Sequence, residues 1–307
     1  MTAIAANLRR ALDSDLFYSF RRSPATVAAA IVVTVFVLAA ALAPWIAPHN
    51  TYEVVTLNLS DAFLPPAWTE SGRAKFLLGT DDQGRDVLST IMLGARVSLM
   101  VGFAAVIFAA VLGITLGLIS GYVGGVVDSA IMRVADIMLS FPAILIALLI
   151  DGVARGVLPR DVHTRISIYV VIASIGLSTW VQYARTVRAT TMVEKSKEYV
   201  QAARVIGLHP VLIMVRHVLP NALGPVLVIA TIGLAVAVLI EATLSFLGVG
   251  VPPTQPSLGT LIRIGNNFLF SGEWWMTIFP GLALVILVLS VNLLGDWLRD
   301  ALNPKLR

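Results

Sequence analysis

Apolar residues in this chain gather in long runs rather than in the alternating pattern of half-buried strands. Runs at about 25–45, 97–119, 129–150, 167–187, 223–247 and 277–297 each hold enough residues to cross a bilayer, because a helix needs roughly 20 to span about 30 Å of hydrocarbon. A helix in lipid satisfies its own backbone groups, so the pattern predicts an all-α polytopic membrane protein with six transmembrane helices. The third run is the least regular, with Arg133 and Asp136 in its first turns and Pro142 in its middle. Three residues apart, the two charges share a helix face and are expected to pair near the interface. Pro142 is expected to kink the span, which a helix bundle tolerates; a five-span alternative drops this segment. The first run, 21 residues long, exceeds the core of about 7–15 residues found in signal peptides. Pro44 directly after Ala41-Leu42-Ala43 would follow a cleavage site poorly, so the run reads as a retained anchor. In the second run Gly113, Gly117 and Gly121, extended by Ala105 and Ala109, form a stripe that lets another helix backbone approach closely.

Composition agrees: 57% of the 307 residues are hydrophobic and 13% charged, against a usual charged share of about 25%. The net charge of +4 is spread by loop rather than gathered on one face, so topology accounts for it and no nucleic-acid partner is expected. Arg9, Arg10, Arg21 and Arg22 precede the first span, Arg185, Arg188, Lys195, Lys197, Arg204 and Arg216 flank the loop after the fourth, and Arg299, Lys305 and Arg307 close the chain. With six spans all three regions lie on one side, which is therefore cytoplasmic; Arg155, Arg160 and Arg165 oppose this weakly. The layout expected is a cytoplasmic segment (1–24), the anchor (25–45), a long outer loop (46–96), a five-helix core (97–297) with a cytoplasmic loop near 188–222, and a cytoplasmic tail (298–307). Absence of cysteine excludes disulfides and thiol chemistry.

Candidate chemistry lies where polarity interrupts this frame. Between spans four and five, Glu198 to Ile206 reads as about two helical turns, Gly207 supplies the freedom a helix end wants, and Pro210 opens a second short helix with an apolar side. Two readings of this elbow stand: a segment lying on lipid headgroups, or a knob that docks a cytoplasmic partner. In the outer loop, Leu78-Gly79-Thr80-Asp81-Asp82-Gln83-Gly84-Arg85-Asp86 precedes a helical pattern that Thr80 or Asp81 can cap. Asp81, Asp82 and Asp86 could suggest a hard-cation site, but they lack the alternating oxygen ligands of a calcium loop, and Arg85 argues for local ion pairs; no metal is expected. Glu241 ends a long apolar stretch of span five. A carboxylate there costs at least about 2.5 kcal/mol on insertion scales, so it is expected to face the bundle, a pathway or a permease interface. The four histidines show no metal spacing and no nucleophile–base pair is evident, so an enzyme is not expected.

Gln201-Ala202-Ala203, three residues, Gly207, nine residues, then His217-Val218-Leu219-Pro220 resembles the EAA loop of bacterial ABC importer permeases. Gln201 stands for the family's Glu and His217 for its Ile; Ala202, Ala203, Gly207, Leu219 and Pro220 match. The outer-loop segment, Ser140-Phe141-Pro142, Leu244-Ser245-Phe246-Leu247-Gly248 and Gly295-Asp296-Trp297-Leu298-Arg299-Asp300 resemble the dipeptide, oligopeptide and nickel permeases, most of all C-type dipeptide subunits, from about residue 15 to the end. The resemblance implies a type I ABC importer permease in the bacterial inner membrane, both termini cytoplasmic. It implies a homologous B-type permease, two cytoplasmic ATPase subunits that dock on residues 201–207, and a periplasmic binding protein landing near Asp81, Asp82, Arg85 and Asp86. The expected cargo is dipeptides or short oligopeptides, with nickel chelates or glutathione as the alternative. ATP would be bound by partner subunits, with no cofactor in this chain; the chain has no Gly-Lys pair and hence no phosphate-cradling loop. A secondary carrier driven by a proton gradient would also explain six spans and Glu241, but would usually show repeat halves and more intramembrane ionisable groups.

Overall fold

The computed structural model describes residues 15–49, 58–252 and 254–301, except for the side chains of residues 15–17 and 160. Arg9, Arg10, Lys305 and Arg307, used above for orientation, lie outside the described residues, as do residues 50–57 of the outer loop. Helices dominate the fold. The short α1 (Asp15–Arg22) leads into α2 (Pro24–Ile46), whose first turn is fixed by Ser23 Oγ accepting the Thr26 N–H at 3.3 Å and by Pro24 at a position where no N–H is needed. Much of α2 is exposed; its small residues Ala29, Ala40 and Ala43 are buried, with Thr26 of the first turn. It leans on α3 (Val87–Val123) and on α11 (Trp275–Ala301), as an anchor at the edge of a bundle should.

The centre of the bundle is the pair α3 and α6 (Arg160–Glu194). The small-residue stripe explains the pairing. A Cβ added at Gly113 would stand 2.5 Å from Tyr183 Cβ, and one at Gly117 would stand 2.5 Å from the Ala184 carbonyl oxygen. Ala105 and Ala109 are buried on the same stripe. With no side chain between them the two backbones come close enough for dispersion to hold them where lipid offers no hydrophobic drive. At 37 residues α3 is about 55 Å long at 1.5 Å per residue, so it begins well before the expected span at 97 and extends beyond the hydrocarbon.

The third apolar run differs from expectation. It is not one kinked helix but two, α4 (Gly125–Leu139) and α5 (Ala143–Val157), bent by 95° at Ser140-Phe141-Pro142. Pro142 has no N–H to donate to Met138 and disfavours helical geometry at Phe141. The expected Arg133–Asp136 pair is also absent: Asp136 instead accepts from Arg185 of α6 at 2.6 Å, a partner from another helix that sequence spacing could not reveal. By length and composition the described residues contain five helices able to cross a membrane, and a sixth if the bent pair is one span.

After α6 the chain forms α7 (Glu198–Val205), α8 (Pro210–Ile213), a π turn (Met214–Val218) and the long α9 (Leu219–Phe246). A further short helix, α10 (Leu258–Asn266), was not anticipated. Nine residues are too few for the span pattern; Ser257 caps it, and Gly259 lets it sit on α9, since a Cβ there would lie 2.2 Å from the Ala242 carbonyl oxygen. Leu258 and Leu261 join Val87, Ile91, Trp275 and Met276 in one apolar cluster.

Candidate functional site

The elbow between α6 and α9 is built as a stiff bracket. Gly207 has φ +86°, the left-handed conformation that favours glycine. The Gly207 N–H bonds the Arg204 carbonyl at 3.0 Å and the Leu208 N–H bonds the Ala203 carbonyl at 3.1 Å, the paired bonds of a Schellman helix end. Val200 and Ala203 point inward and pack with Tyr183, Val187, Ile213 and Ala222. Lys195 Nζ donates to the Gly121 carbonyl at 2.8 Å, tying the elbow's entry to the end of α3. Arg204 lies over the Tyr122 ring at 4.9 Å. At the exit, Pro220 has no N–H for the Arg216 carbonyl, and the Leu219 N–H reaches back five residues to Met214, which is the π turn.

Both departures from the family pattern have physical roles. Gln201 Nε2 donates to the Lys195 carbonyl at 3.0 Å, a bond a carboxylate could not make. His217 stacks its ring loosely on Tyr199, 25° from parallel, and its carbonyl accepts from Asn221 at 3.1 Å. The Tyr199 hydroxyl donates to Glu194 and accepts from Asn221 at 2.8 Å. Burial first, and then the Glu194 carboxylate, hold this phenol above its ordinary pKa. Structure therefore joins Gln201, Ala202, Ala203, Gly207, Leu219 and Pro220 in one rigid unit. Within it Ala203 faces the bundle, while Val205 and Ile206 are 89% and 77% exposed at the tip. Motif reading passed over these two side chains; the available signal was an apolar β-branched pair just before the glycine in a basic loop.

The outer segment sits at the other end of α3 and is not a free surface. Asp81, Arg85 and Asp86 are all buried. Asp81 accepts from the Gln83 and Arg85 N–H groups at 2.9 Å and from Arg85 Nε at 2.6 Å. Asp86, rather than Thr80 or Asp81, caps α3, accepting from the Ser89 N–H at 2.8 Å. The Thr80 carbonyl accepts from Trp275 Nε1 at 3.0 Å, which clamps the loop to α11. Asp82 is the partly exposed member, its carboxyl pushed up in pKa by burial and then by the charge of Asp81. Asp81, Arg85 and Asp86 thus hold the loop's shape through the local ion pair and helix cap that Arg85 pointed to, and of the four only Asp82 reaches the surface. Among the described residues no group of three or more His, Asp or Glu is placed to hold a metal ion.

Glu241 is interior as well. Of the three places expected for it, the bundle, a pathway or a permease interface, it takes the first, fully buried inside its own chain. Ser98 Oγ of α3 and Ser245 Oγ of α9 each donate to it at 2.7 Å. Those hydroxyls in turn accept the Leu258 N–H at 3.3 Å and the Val251 N–H at 3.2 Å. The carboxylate thus anchors the outer ends of α3, α9 and α10 together.

Membrane-length apolar helices with a rigid polar bracket at one end are those of a membrane-embedded protein. The comparisons agree. The model of the binding-protein-dependent transport system inner membrane component family matches residues 113–307, and that of the N-terminal TM domain of oligopeptide transport permease C matches residues 14–66. This chain belongs to the binding-protein-dependent transport system inner membrane component family. It is 39% identical over 293 residues to the dipeptide transport system permease protein of Haemophilus influenzae, covering 95% of each chain. To the dipeptide transport system permease protein of Escherichia coli K12 it is 42% identical over 294 residues, covering 95% of this chain and 93% of that one. A chain of the MetNI methionine ABC transporter in an inward-facing form shares the fold, with a TM-score of 0.54 and 23% identity over 70% of this chain and 97% of that one.

Proposed function

We propose that this chain is the C-type permease subunit of an ATP-driven importer that moves dipeptides or short oligopeptides from periplasm to cytoplasm. The observation that carries the coupling assignment is the elbow: a helix anchored by Val200 and Ala203 that presents Val205 and Ile206 outward beside a Schellman turn. A short stiff helix with an apolar tip suits a cleft in a cytoplasmic partner and can transmit a rigid-body motion to α6 and α9. The partners in this reading are a homologous B-type permease, two ATPase subunits that bind ATP, and a periplasmic binding protein, with lipid around the rest. The chain itself hydrolyses nothing in this scheme and carries no cofactor. Both termini lie in the cytoplasm, by the Lys and Arg distribution. Peptide cargo rests on the relatives' names, dipeptide for those above and di/tripeptide for a Pseudomonas aeruginosa relative 37% identical over 294 residues, covering 95% of this chain and 92% of that one.

The test is uptake of a labelled dipeptide into proteoliposomes with and without this chain, in the presence of the other permease, the ATPases and the binding protein. Uptake that requires both ATP and this chain supports the reading, and competition by longer peptides, glutathione and nickel chelates ranks the cargo. Uptake indifferent to ATP but driven by an imposed proton gradient would replace it with a secondary carrier.

A further inference from the structure

The break between α4 and α5 lies at membrane depth. Below it, Ala135 of α4 packs with Trp180, Val181 and Ala184 of α6. Above it, Ala147 of α5 packs with Val171 and Ile175. The break is therefore level with residues between 175 and 180 of α6, the middle of that helix and of its apolar run at 167–187. Ser140, Phe141 and Pro142 are nonetheless exposed. The backbone there is incompletely bonded: among the described residues neither the Ala143 nor the Ile144 N–H has a partner, and no side chain caps α5. Lipid cannot cover such a site, because irregular backbone at this depth survives only against protein or water.

A second observation separates those two covers. Ser129, Arg133, Asp136 and Ser140 recur at helical spacing on one face of α4, and all four are exposed. The Asp136–Arg185 pair on this face leaves its side chains 58% and 49% exposed. The opposite face carries exposed apolar residues such as Val127 and Val134. The Ser129 and Ser140 hydroxyls donate to the Gly125 and Asp136 carbonyls at 3.1 and 2.9 Å, but a dry protein cover would still have to match Arg133, the Asp136–Arg185 pair and the unpaired amides in register, whereas water matches them all without design.

We propose that the Ser129–Arg133–Asp136–Ser140 face of α4, ending on the Ser140–Pro142 helix break, lines the cytoplasmic half of the aqueous pathway through which the peptide leaves. The inference rests on the importer reading above and assigns it a pathway wall. Because the chain contains no cysteine, single cysteines report accessibility without background. The experiment uses the complete transporter in inside-out vesicles and a charged, membrane-impermeant thiosulfonate, with and without ATP trapping. Ser129→Cys and Ser140→Cys should react on the order of tenfold faster than Val134→Cys, since a thiol facing apolar surroundings stays protonated and inert. Val134 lies nearer the cytoplasm than Ser140, so depth favours the control.

If Ser140→Cys reacts no faster than Val134→Cys in either state while Ser129→Cys labels, the pathway does not reach the break and the proposal fails. It also fails if Ser140→Cys resists the reagent but forms a disulfide with a cysteine placed in the other permease, which would make this face an interface. Phe141→Cys serves where Ser140→Cys does not insert. Uptake by the unsubstituted transporter is measured in parallel: absent ATP-dependent uptake overturns the importer reading, whereas labelling speaks to the wall.

Discussion

Replacing Gly207 with valine should abolish transport while leaving the protein in the membrane. Gly207 holds φ +86°, and a Cβ built there would meet no atom within 4 Å. The penalty is therefore one of backbone conformation, about 1–3 kcal/mol for a non-glycine residue in this region and worst for a β-branched one. Two hydrogen bonds close the turn, from Gly207 to Arg204 and from Leu208 to Ala203, and each contributes a net of about 0.5–1.5 kcal/mol. Strain and restraint are thus of similar size, and every 1.4 kcal/mol or so shifts the elbow population tenfold away from its docking geometry. The packing beneath, Val200 and Ala203 against α6 and α9, does not depend on Gly207, so insertion survives. Alanine should cost about 1–2 kcal/mol, and asparagine, which visits the left-handed region readily, should cost least. The expected order of ATP-dependent dipeptide uptake is glycine, asparagine, alanine, valine at equal membrane abundance. Wild-type uptake by Gly207→Val, or asparagine as impaired as valine, would refute the reasoning.

The elbow tip should separate docking from folding: Ile206→Asp removes an apolar contact worth about 1.5–3 kcal/mol if buried on docking, so ATPase co-purification should drop sharply at unchanged abundance. Ala203→Asp should instead lower abundance, because Ala203 packs inside the chain; normal yield of that variant would contradict the placement. Glu241→Ala should lower the thermal midpoint in detergent by leaving the Ser98 and Ser245 hydroxyls unpaired, about 1–3 kcal/mol for each group, and Glu241→Gln should lower it less. An unchanged midpoint for Glu241→Ala would show that the network contributes nothing, and altered selectivity between a dipeptide and its N-acetyl form in Glu241→Gln would restore a pathway role. Gly117→Val should prevent close approach of α3 to α6, where even a Cβ would meet the Ala184 carbonyl at 2.5 Å; normal assembly judged by size-exclusion chromatography would be the contrary result.

Much of this protein was legible before any coordinates. Apolar runs are local, and a bilayer demands that each be a helix that bonds itself, so five of the six span positions followed from residue type alone. Gly207 and Pro220 likewise act through their own backbones, and their places in the elbow could be read from position. The glycine stripe of α3 declared a close helix contact, although not that α6 would make it. Charged residues were harder to place. Local pairing through Arg85 could be read from spacing, but which group would meet Glu241 could not, because an isolated sequence gives a charge no distant partner. Ser89, Ser245 and the loop's own N–H groups lie within four residues of the carboxylates they meet, whereas tertiary structure alone brought Ser98 to Glu241. Pro142 could announce a disturbance but not its 95° size, which depends on how both halves pack along α6. Sequence by itself determined what each segment had to be in a membrane; only the tertiary fold decided which polar groups met, because hydrogen bonds between residues 98 and 241 depend on three-dimensional proximity that local pattern does not encode.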